Sequence, residues 1–132
     1  TNIDAQCMWL VKNPEDYEVI VAENMFGDIL SDLAAQLIGG LGFACSANIG
    51  DEYAVFEPTH GSAPKYFGQN KVNPTAMILT AKMMLDWLGE TSMADTLERA
   101  VAEVILERKV GTYDVGLDNT SLEVAEAVAE KL

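Results

Sequence analysis

Apolar and polar residues repeat along this chain with two different periods. The three- and four-residue spacing typical of helices predicts five of them, at residues 3–12, 28–38, 76–88, 93–108 and 120–132. Shorter runs rich in β-branched and aromatic residues predict strands at residues 17–22, 43–49 and 55–57. Strands alternating with helices indicate an α/β fold with helices packed on a mixed sheet. Residues 76–88 are apolar on almost every side, so we expect that helix to be buried.

Two carboxylates mark the second predicted helix. Asp28 and Asp32 are four positions apart, which places them on one helix face, and Gly27 suits the turn into the helix. The strand predicted before them would end beside this pair, where open α/β sheets bind ligands. Adjacent carboxylate oxygens suit a hard divalent cation such as Mg²⁺ or Mn²⁺. The same spacing is also common on solvated helix faces, and spacing alone leaves both interpretations open.

The charge of the chain limits its partners. The 132 residues carry a net charge of −13, which argues against binding to nucleic acid or to anionic membranes. Cys7 and Cys45 are too few and too distant for a disulfide framework or a zinc site, so we expect buried free thiols in a reducing cytosol. No run has the length of a membrane span and no signal peptide is visible, which favours a cytoplasmic location.

A loop rich in proline and hydrogen-bonding groups follows the third predicted strand. Residues 57–66 contain two prolines and a glycine, a composition that excludes a helix or a central strand. His60, the only histidine, lies within this loop. Long loops rich in donors often carry function, although a lone histidine is more often structural than catalytic.

One segment resembles a known family. Residues 24–43 read NMFGDILSDLAAQLIGGLGF and resemble the signature of the isocitrate and isopropylmalate dehydrogenases, metal-dependent oxidoreductases that decarboxylate their substrates. The resemblance runs over nearly the whole chain but covers only the C-terminal part of that longer family. We therefore expect a partial fold: a fragment, a truncated gene product or one piece of a split enzyme. Residues 1–50 would belong to the small dimerisation domain and residues 51–132 to the large dinucleotide-binding domain.

The resemblance also implies a metal site shared between subunits. Asp28 and Asp32 would bind Mg²⁺ or Mn²⁺ together with the partner's Asp4, although Asp4 alone would be taken as an ordinary helix-start residue. A cation site completed by a second chain predicts a homodimer.

A dinucleotide site is implied in the same way. Its cofactor-binding residues would be His60, Gly61, Ser62, Ala63, Lys65, Tyr66, Val72, Asn73, Tyr113 and Asp114. Residues 60–63 would surround the adenine and ribose, and Asn73 would hydrogen-bond the adenine.

The choice between NADP and NAD depends on three of these positions. Lys65, Tyr66 and Tyr113 match the NADP-dependent isocitrate dehydrogenases, and a lysine favours a 2′-phosphate by charge. An ordinary surface lysine is the alternative for Lys65. Leu117 stands where that group has a further basic residue, so one phosphate partner is missing. The pattern therefore favours NADP and leaves NAD possible.

The implied reaction is oxidation of isocitrate to 2-oxoglutarate and CO₂ with NAD(P). The rival substrate is 3-isopropylmalate or a related 2-hydroxy acid, and a non-catalytic dimerisation or regulatory module is the second class of hypothesis. The family's catalytic tyrosine and lysine and its substrate arginines lie upstream of Thr1. We therefore expect an N-terminal segment to be missing, this chain to contribute no catalytic acid or base, and the chain alone to be inactive.

Overall fold

Five α-helices and one β-hairpin form the secondary structure in the computed structural model, which describes all 132 residues. The elements are α1 (Ile3–Lys12), α2 (Asn24–Leu37), β1 (Cys45–Ile49), β2 (Ala54–Pro58), α3 (Thr75–Trp87), α4 (Thr91–Glu107) and α5 (Ser121–Ala129). Short 3-10 turns cover Pro14–Asp16, Pro64–Tyr66 and Tyr113–Val115. None of the helices combines the length and apolar character needed to cross a lipid bilayer.

The chain divides into two separately packed units, residues 1–40 and 41–132. The sequence placed a boundary after residue 50, but β1 pairs with β2 and therefore belongs to the second unit. The assignment of residues 1–50 and 51–132 to the small and large domains of the family stays a prediction.

In the first unit α1 packs against α2, and Leu10, Leu30 and Ala35 are its buried apolar residues. The bounds of α1 match the prediction. The predicted start of α2 is wrong, because the helix begins at Asn24 and Gly27 lies inside it. The Gly27 amide already donates to the Glu23 carbonyl at 2.7 Å, so helical hydrogen bonding is established before the glycine.

The strand predicted at residues 17–22 does not form. Val19 and Val21 are 82% and 94% exposed in irregular backbone. The only paired strands are β1 and β2, so residues 17–22 have no neighbour with which to share hydrogen bonds. A run with high β-propensity needs such a neighbour to become a strand. The expected mixed sheet is accordingly reduced to one antiparallel hairpin.

In the second unit the hairpin runs in register from Cys45 opposite Pro58 to Ile49 opposite Ala54. Helix α3 packs on it, with the Phe56 and Trp87 ring centroids 6.1 Å apart. The α/β class and the packing of helices on the sheet are therefore confirmed.

The expectation of a fully buried α3 is wrong in part. Thr75, Ala76 and Thr80 are buried, but Met77 and Met84 are exposed. The hairpin and α4 are the elements that α3 packs against, and they leave one side of this helix open. Both cysteines are free thiols as predicted, but they are half-buried rather than buried.

The core of the second unit lies between α4 and α5. It consists of Ala100, Val101, Val104 and Val128, with Ile78, Leu79, Leu97 and Ala127 packed against it. Helix α5 begins with a capping box, in which Thr120 and Glu123 satisfy each other's backbone N–H groups. This cap fixes where α5 starts, next to the cleft described below.

Candidate functional site

An open cleft of about 700 Å³ lies in the second unit, beside the start of α3. Nine of the ten predicted cofactor-binding residues line it: His60, Gly61, Ser62, Ala63, Tyr66, Val72, Asn73, Tyr113 and Asp114. The tenth, Lys65, lies at its edge, with its Nζ atom 5.3 Å from the centroid of the Tyr66 ring. The fold thus brings together residues from two segments, 60–73 and 113–114, that are separated by about forty positions.

A hydrogen-bond network forms one wall of this cleft. The Asn73 amide nitrogen donates to Asp114 Oδ2 at 2.9 Å, and the Thr112 hydroxyl donates to the other Asp114 oxygen. Asn73 Oδ1 accepts from the Thr75 amide at 3.0 Å, so it also caps the start of α3. Asn73 and Thr112 are buried. Because its acceptor oxygen is engaged, Asn73 has one N–H left for a ligand, and its contact with adenine stays a prediction.

Gly42 allows this network to form. A Cβ atom at that position would lie 3.0 Å from both Asn73 Cβ and Asp114 Oδ2. The Gly42 carbonyl accepts from the Ala76 amide at 2.8 Å, which ties the segment to α3. The glycine-rich stretch at residues 39–42 also terminates α2, because Gly39 and Gly40 adopt positive φ angles of 114° and 104° directly after that helix.

His60 lies half-buried at the start of the cleft loop. Its Nδ1 atom is 2.9 Å from the Gly61 carbonyl, so the tautomer that carries a proton on Nδ1 donates there. The loop is anchored to the hairpin by the Thr59 amide, which donates to the Ala44 carbonyl at 3.1 Å. Ala63 has a φ of 43°, a left-handed conformation that precedes the turn at Pro64–Tyr66.

Two tyrosines face each other at one end of the cleft. The ring centroids of Tyr66 and Tyr113 are 5.9 Å apart. Hydrogen bonding to Tyr113 and then the positive charge of Lys65 lower the pKa of the Tyr66 hydroxyl. The same hydrogen bond is the main cause of a raised pKa at Tyr113.

Lys71 joins this pair and was missed by the sequence analysis. Its Nζ atom lies 5.0 Å from the Tyr113 ring centroid and 5.8 Å from that of Tyr66. Both distances are within the range of cation–π contacts. The chain between Lys65 and Lys71 has no regular helix or strand, so no periodic signal could have placed both lysines at the Tyr66 ring.

Asn70 was also missed, and it fastens the cleft loop to α5. It has a φ of 51°, and its carbonyl and side-chain oxygens accept from the Ser121 and Leu122 amides at 3.0 and 3.2 Å. The Ser121 hydroxyl donates to the Val72 carbonyl. These bonds hold Lys71 and Val72 between two fixed points.

The predicted metal ligands lie in the first unit. Asp4, Asp28 and Asp32 are all exposed, and the last two share one face of α2. Asp4 Oδ1 accepts from the Ala5 amide at 2.7 Å, and Asp28 Oδ2 accepts from Asn24 at 3.4 Å. No group of three or more acidic, cysteine or histidine side chains in the single chain could hold a metal ion. The carboxylate donors suit Mg²⁺ or Mn²⁺, and a site shared between subunits stays a prediction.

By its fold the chain is an α/β protein with an open, ligand-sized cleft beside α3. The family model described as isocitrate/isopropylmalate dehydrogenase matches residues 1–130, and the chain belongs to that family. The resemblance drawn from residues 24–43 is therefore confirmed.

Individual relatives differ in the substrates that their names give. The chain is 55% identical over 130 residues to the isocitrate/homoisocitrate dehydrogenase of Thermus thermophilus, covering 98% of this chain and 39% of that protein. It is 50% identical to the 3-isopropylmalate/3-methylmalate dehydrogenase of Methanocaldococcus jannaschii, with the same coverage. The crystal structure of isocitrate dehydrogenase from Methylococcus capsulatus matches with a TM-score of 0.94 and 47% identity, covering 98% of this chain and 39% of that one. The chain thus spans about two fifths of the length of these relatives.

Proposed function

We propose that this chain supplies the dinucleotide cleft and the metal-binding aspartates of an enzyme that oxidises and decarboxylates isocitrate with NADP. One observation carries the proposal: nine of the ten residues that the family resemblance assigns to the cofactor line a single cleft. These residues come from two segments, 60–73 and 113–114, so their common place in one cleft is a property of the fold.

Within the cleft, residues 60–63 and Val72 bind the adenosine end of the dinucleotide. The network of Asn73 and Asp114 holds the wall against which the adenine lies. Lys65 and Tyr66, at the other end, lie where a positive charge and a hydroxyl donor favour the 2′-phosphate that distinguishes NADP from NAD. NAD remains the second possible cofactor.

The aspartates hold the divalent cation. Asp28 and Asp32 from one subunit and the partner's Asp4 provide hard oxygen ligands for Mg²⁺ or Mn²⁺, in a homodimer. When bound, the cation acts as a Lewis acid that stabilises the negative charge developing on the hydroxy acid. The second candidate substrate is 3-isopropylmalate, which is favoured by the 50% identity to an enzyme named for it.

The activity is tested in the natural protein that contains these 132 residues, with isocitrate or 3-isopropylmalate, Mn²⁺, and NADP or NAD. We expect NADP reduction with isocitrate. Lys65→Asp should shift the preference from NADP towards NAD, because a carboxylate accepts from a 2′-hydroxyl and repels a 2′-phosphate. Lys109→Asp is the control, since Lys109 is an exposed lysine of the same unit that pairs with Glu107.

Two results would count against the proposal. If no hydroxy acid is oxidised with any combination, the chain serves as a non-catalytic dimerisation or regulatory module. If Lys65→Asp and Lys109→Asp leave the same cofactor preference, Lys65 does not contact the cofactor.

The shared metal site is tested by mixing two inactive forms. A chain with Asp4→Asn and a chain with both Asp28→Asn and Asp32→Asn should each bind Mn²⁺ poorly. A dimer of one of each has one site with all three aspartates intact, so mixing should restore part of the Mn²⁺ binding seen by electron paramagnetic resonance. Failure of the mixture to bind more Mn²⁺ than either form alone would mean that the site is not shared.

A further inference from the structure

Two of the three lysines without a carboxylate partner lie over the same aromatic ring, that of Tyr66. Lys82, Lys109 and Lys131 form ion pairs with nearby Asp or Glu side chains. Lys12, Lys65 and Lys71 form none, and only Lys12 lies elsewhere, over the Trp9 ring in α1. In a chain of net charge −13, an uncompensated pair of lysines is a marked local excess of positive charge.

Both ammonium groups lie over the Tyr66 ring, and that of Lys71 lies over the Tyr113 ring as well. Lys65 Nζ lies 5.3 Å from the Tyr66 centroid, and Lys71 Nζ lies 5.8 Å from that centroid and 5.0 Å from the centroid of Tyr113. Exposed cation–π contacts of this kind are worth only about 0.5–1 kcal/mol each. They orient the lysines without neutralising them, so both charges stay available to a bound anion.

The one carboxylate of the cleft does not provide that anion. Asp114 accepts from the buried Asn73 amide at 2.9 Å with one oxygen and from the Thr112 hydroxyl with the other. It makes no ion pair with either lysine, and the bonds to buried partners hold it against the cleft wall. The positive end of the cleft is therefore left for a ligand.

We propose that Lys71 is a specificity-determining residue, which provides the second positive charge for a phosphate monoester bound between Lys65, Tyr66 and Tyr113. Leu117 offers no charge where NADP-dependent relatives are expected to have a basic residue, and Lys71 supplies the charge from another segment. This inference rests on the proposed function, because it identifies the phosphate with the 2′-phosphate of NADP. It adds Lys71, which the three positions that favour NADP in the sequence, Lys65, Tyr66 and Tyr113, do not indicate.

Lys71 is held in place by the bonds on either side of it. Asn70 accepts from the first two amides of α5, and the Ser121 hydroxyl donates to the Val72 carbonyl. A lysine fixed at its backbone and resting on two rings loses less freedom when it binds an anion than a lysine on a mobile loop would. The contacts of the Lys71 ammonium with two rings, and the hydrogen bonds that anchor the backbone on either side of it, favour a binding role for Lys71 over that of an incidental surface charge.

The test measures binding of two probes to the chain by calorimetry: 2′-phospho-ADP-ribose and ADP-ribose, which differ only in the 2′-phosphate. Lys71→Met keeps the apolar stem and removes the charge. We expect it to weaken binding of 2′-phospho-ADP-ribose about tenfold and to change ADP-ribose binding less than about twofold. Lys71→Arg should retain most of the affinity. Lys12→Met is the matched control, because Lys12 also lies over an aromatic ring, at 4.8 Å, and has no carboxylate partner.

Three results would overturn the assignment, and they separate it from the proposed function. Equal weakening of both probes by Lys71→Met would mean that Lys71 acts on the shape of the cleft. If the unmodified chain prefers the 2′-phosphate, and Lys65→Met removes that preference while Lys71→Met does not, the NADP site stands without Lys71. If the unmodified chain does not prefer the 2′-phosphate at all, both the NADP proposal and the role of Lys71 fail.

Discussion

Replacing Asp114 with alanine tests whether one carboxylate holds the cleft together. Asp114 accepts hydrogen bonds from Asn73 and Thr112, which are 8% and 1% exposed. Asn73 caps α3, and the Thr112 carbonyl accepts from the Val115 and Leu117 amides at 3.1 and 3.2 Å. The carboxylate therefore connects the start of α3 to the turn at Tyr113–Val115, and removing it loosens both.

The expected size of the effect follows from the groups left without a partner. Asp114→Ala leaves one amide N–H and one hydroxyl donor unsatisfied next to buried atoms, and each such group costs about 1–3 kcal/mol. Water reaches the exposed side of Asp114 and replaces part of the loss, so we expect the free energy of unfolding to fall by about 2–3 kcal/mol. Asp114→Asn keeps one acceptor oxygen and should lose less.

The assay is urea unfolding followed by tryptophan fluorescence. In a Trp9→Phe background the remaining tryptophan, Trp87, reports only on the second unit, because it packs on Phe56 there. Asp118→Ala is the control, since it removes the same charge from an exposed position in the same loop. Binding of ADP-ribose, measured in parallel, should weaken in Asp114→Ala and not in Asp118→Ala.

The reasoning would be refuted if the two alanine variants had the same free energy of unfolding within about 0.5 kcal/mol. That result would mean that the network is not needed to join α3 to the Tyr113–Val115 turn. If Asp114→Ala lowered the free energy of unfolding but left ADP-ribose binding unchanged, the hydrogen-bond network would support the fold without contributing to the proposed cofactor site.

Two further predictions concern the packing beside the cleft and the start of α5. Gly42→Ala should lower the free energy of unfolding, measured in urea, by about 1–3 kcal/mol, because the new Cβ atom would lie 3.0 Å from two atoms of the Asn73–Asp114 network. Gly61→Ala is the control, since a Cβ atom there would meet no atom within 4 Å. Hydrogen bonds from Thr120 lower the pKa of Glu123 below its ordinary value of 4.5. The stabilisation that the ionised Glu123 carboxylate provides is therefore complete above pH 4.5, and it is lost as the pH falls through the lowered pKa. Glu123→Gln should therefore flatten the fall in melting temperature between about pH 5 and pH 3, and an unchanged slope would exclude the capping box as its source.

Elements governed by near neighbours were predictable from the sequence. The bounds of α1 follow from apolar spacing and from the Asn13-Pro14 stop, and the start of α5 follows from Thr120 and Glu123, three positions apart. The end of α2 follows from Gly39 and Gly40, which adopt positive φ angles at little steric cost. In each case the deciding contact lies within a few residues, so the local pattern contains the information.

The same local patterns led to errors where a distant partner was needed. Residues 17–22 have strand propensity, but no other strand of the chain lies beside them to complete hydrogen bonding. Gly27 was interpreted as a turn, yet the helix had already started at Asn24. The apolar surface of α3 was expected to be covered, and only the packing of the hairpin and α4 decides which side is.

The amino-acid sequence by itself determined the family, the bounds of α1, the end of α2, the start of α5 and the identities of most residues proposed to bind the cofactor. Only the tertiary structure decided which residues meet in the cleft: Asn73 and Asp114 bond across 41 positions, Asn70 and Leu122 bond across 52, and the Lys71 ammonium lies over the Tyr113 ring. The physical reason is that helix caps and turns depend on atoms a few bonds away, whereas the wall and the positive end of the cleft depend on how distant segments pack.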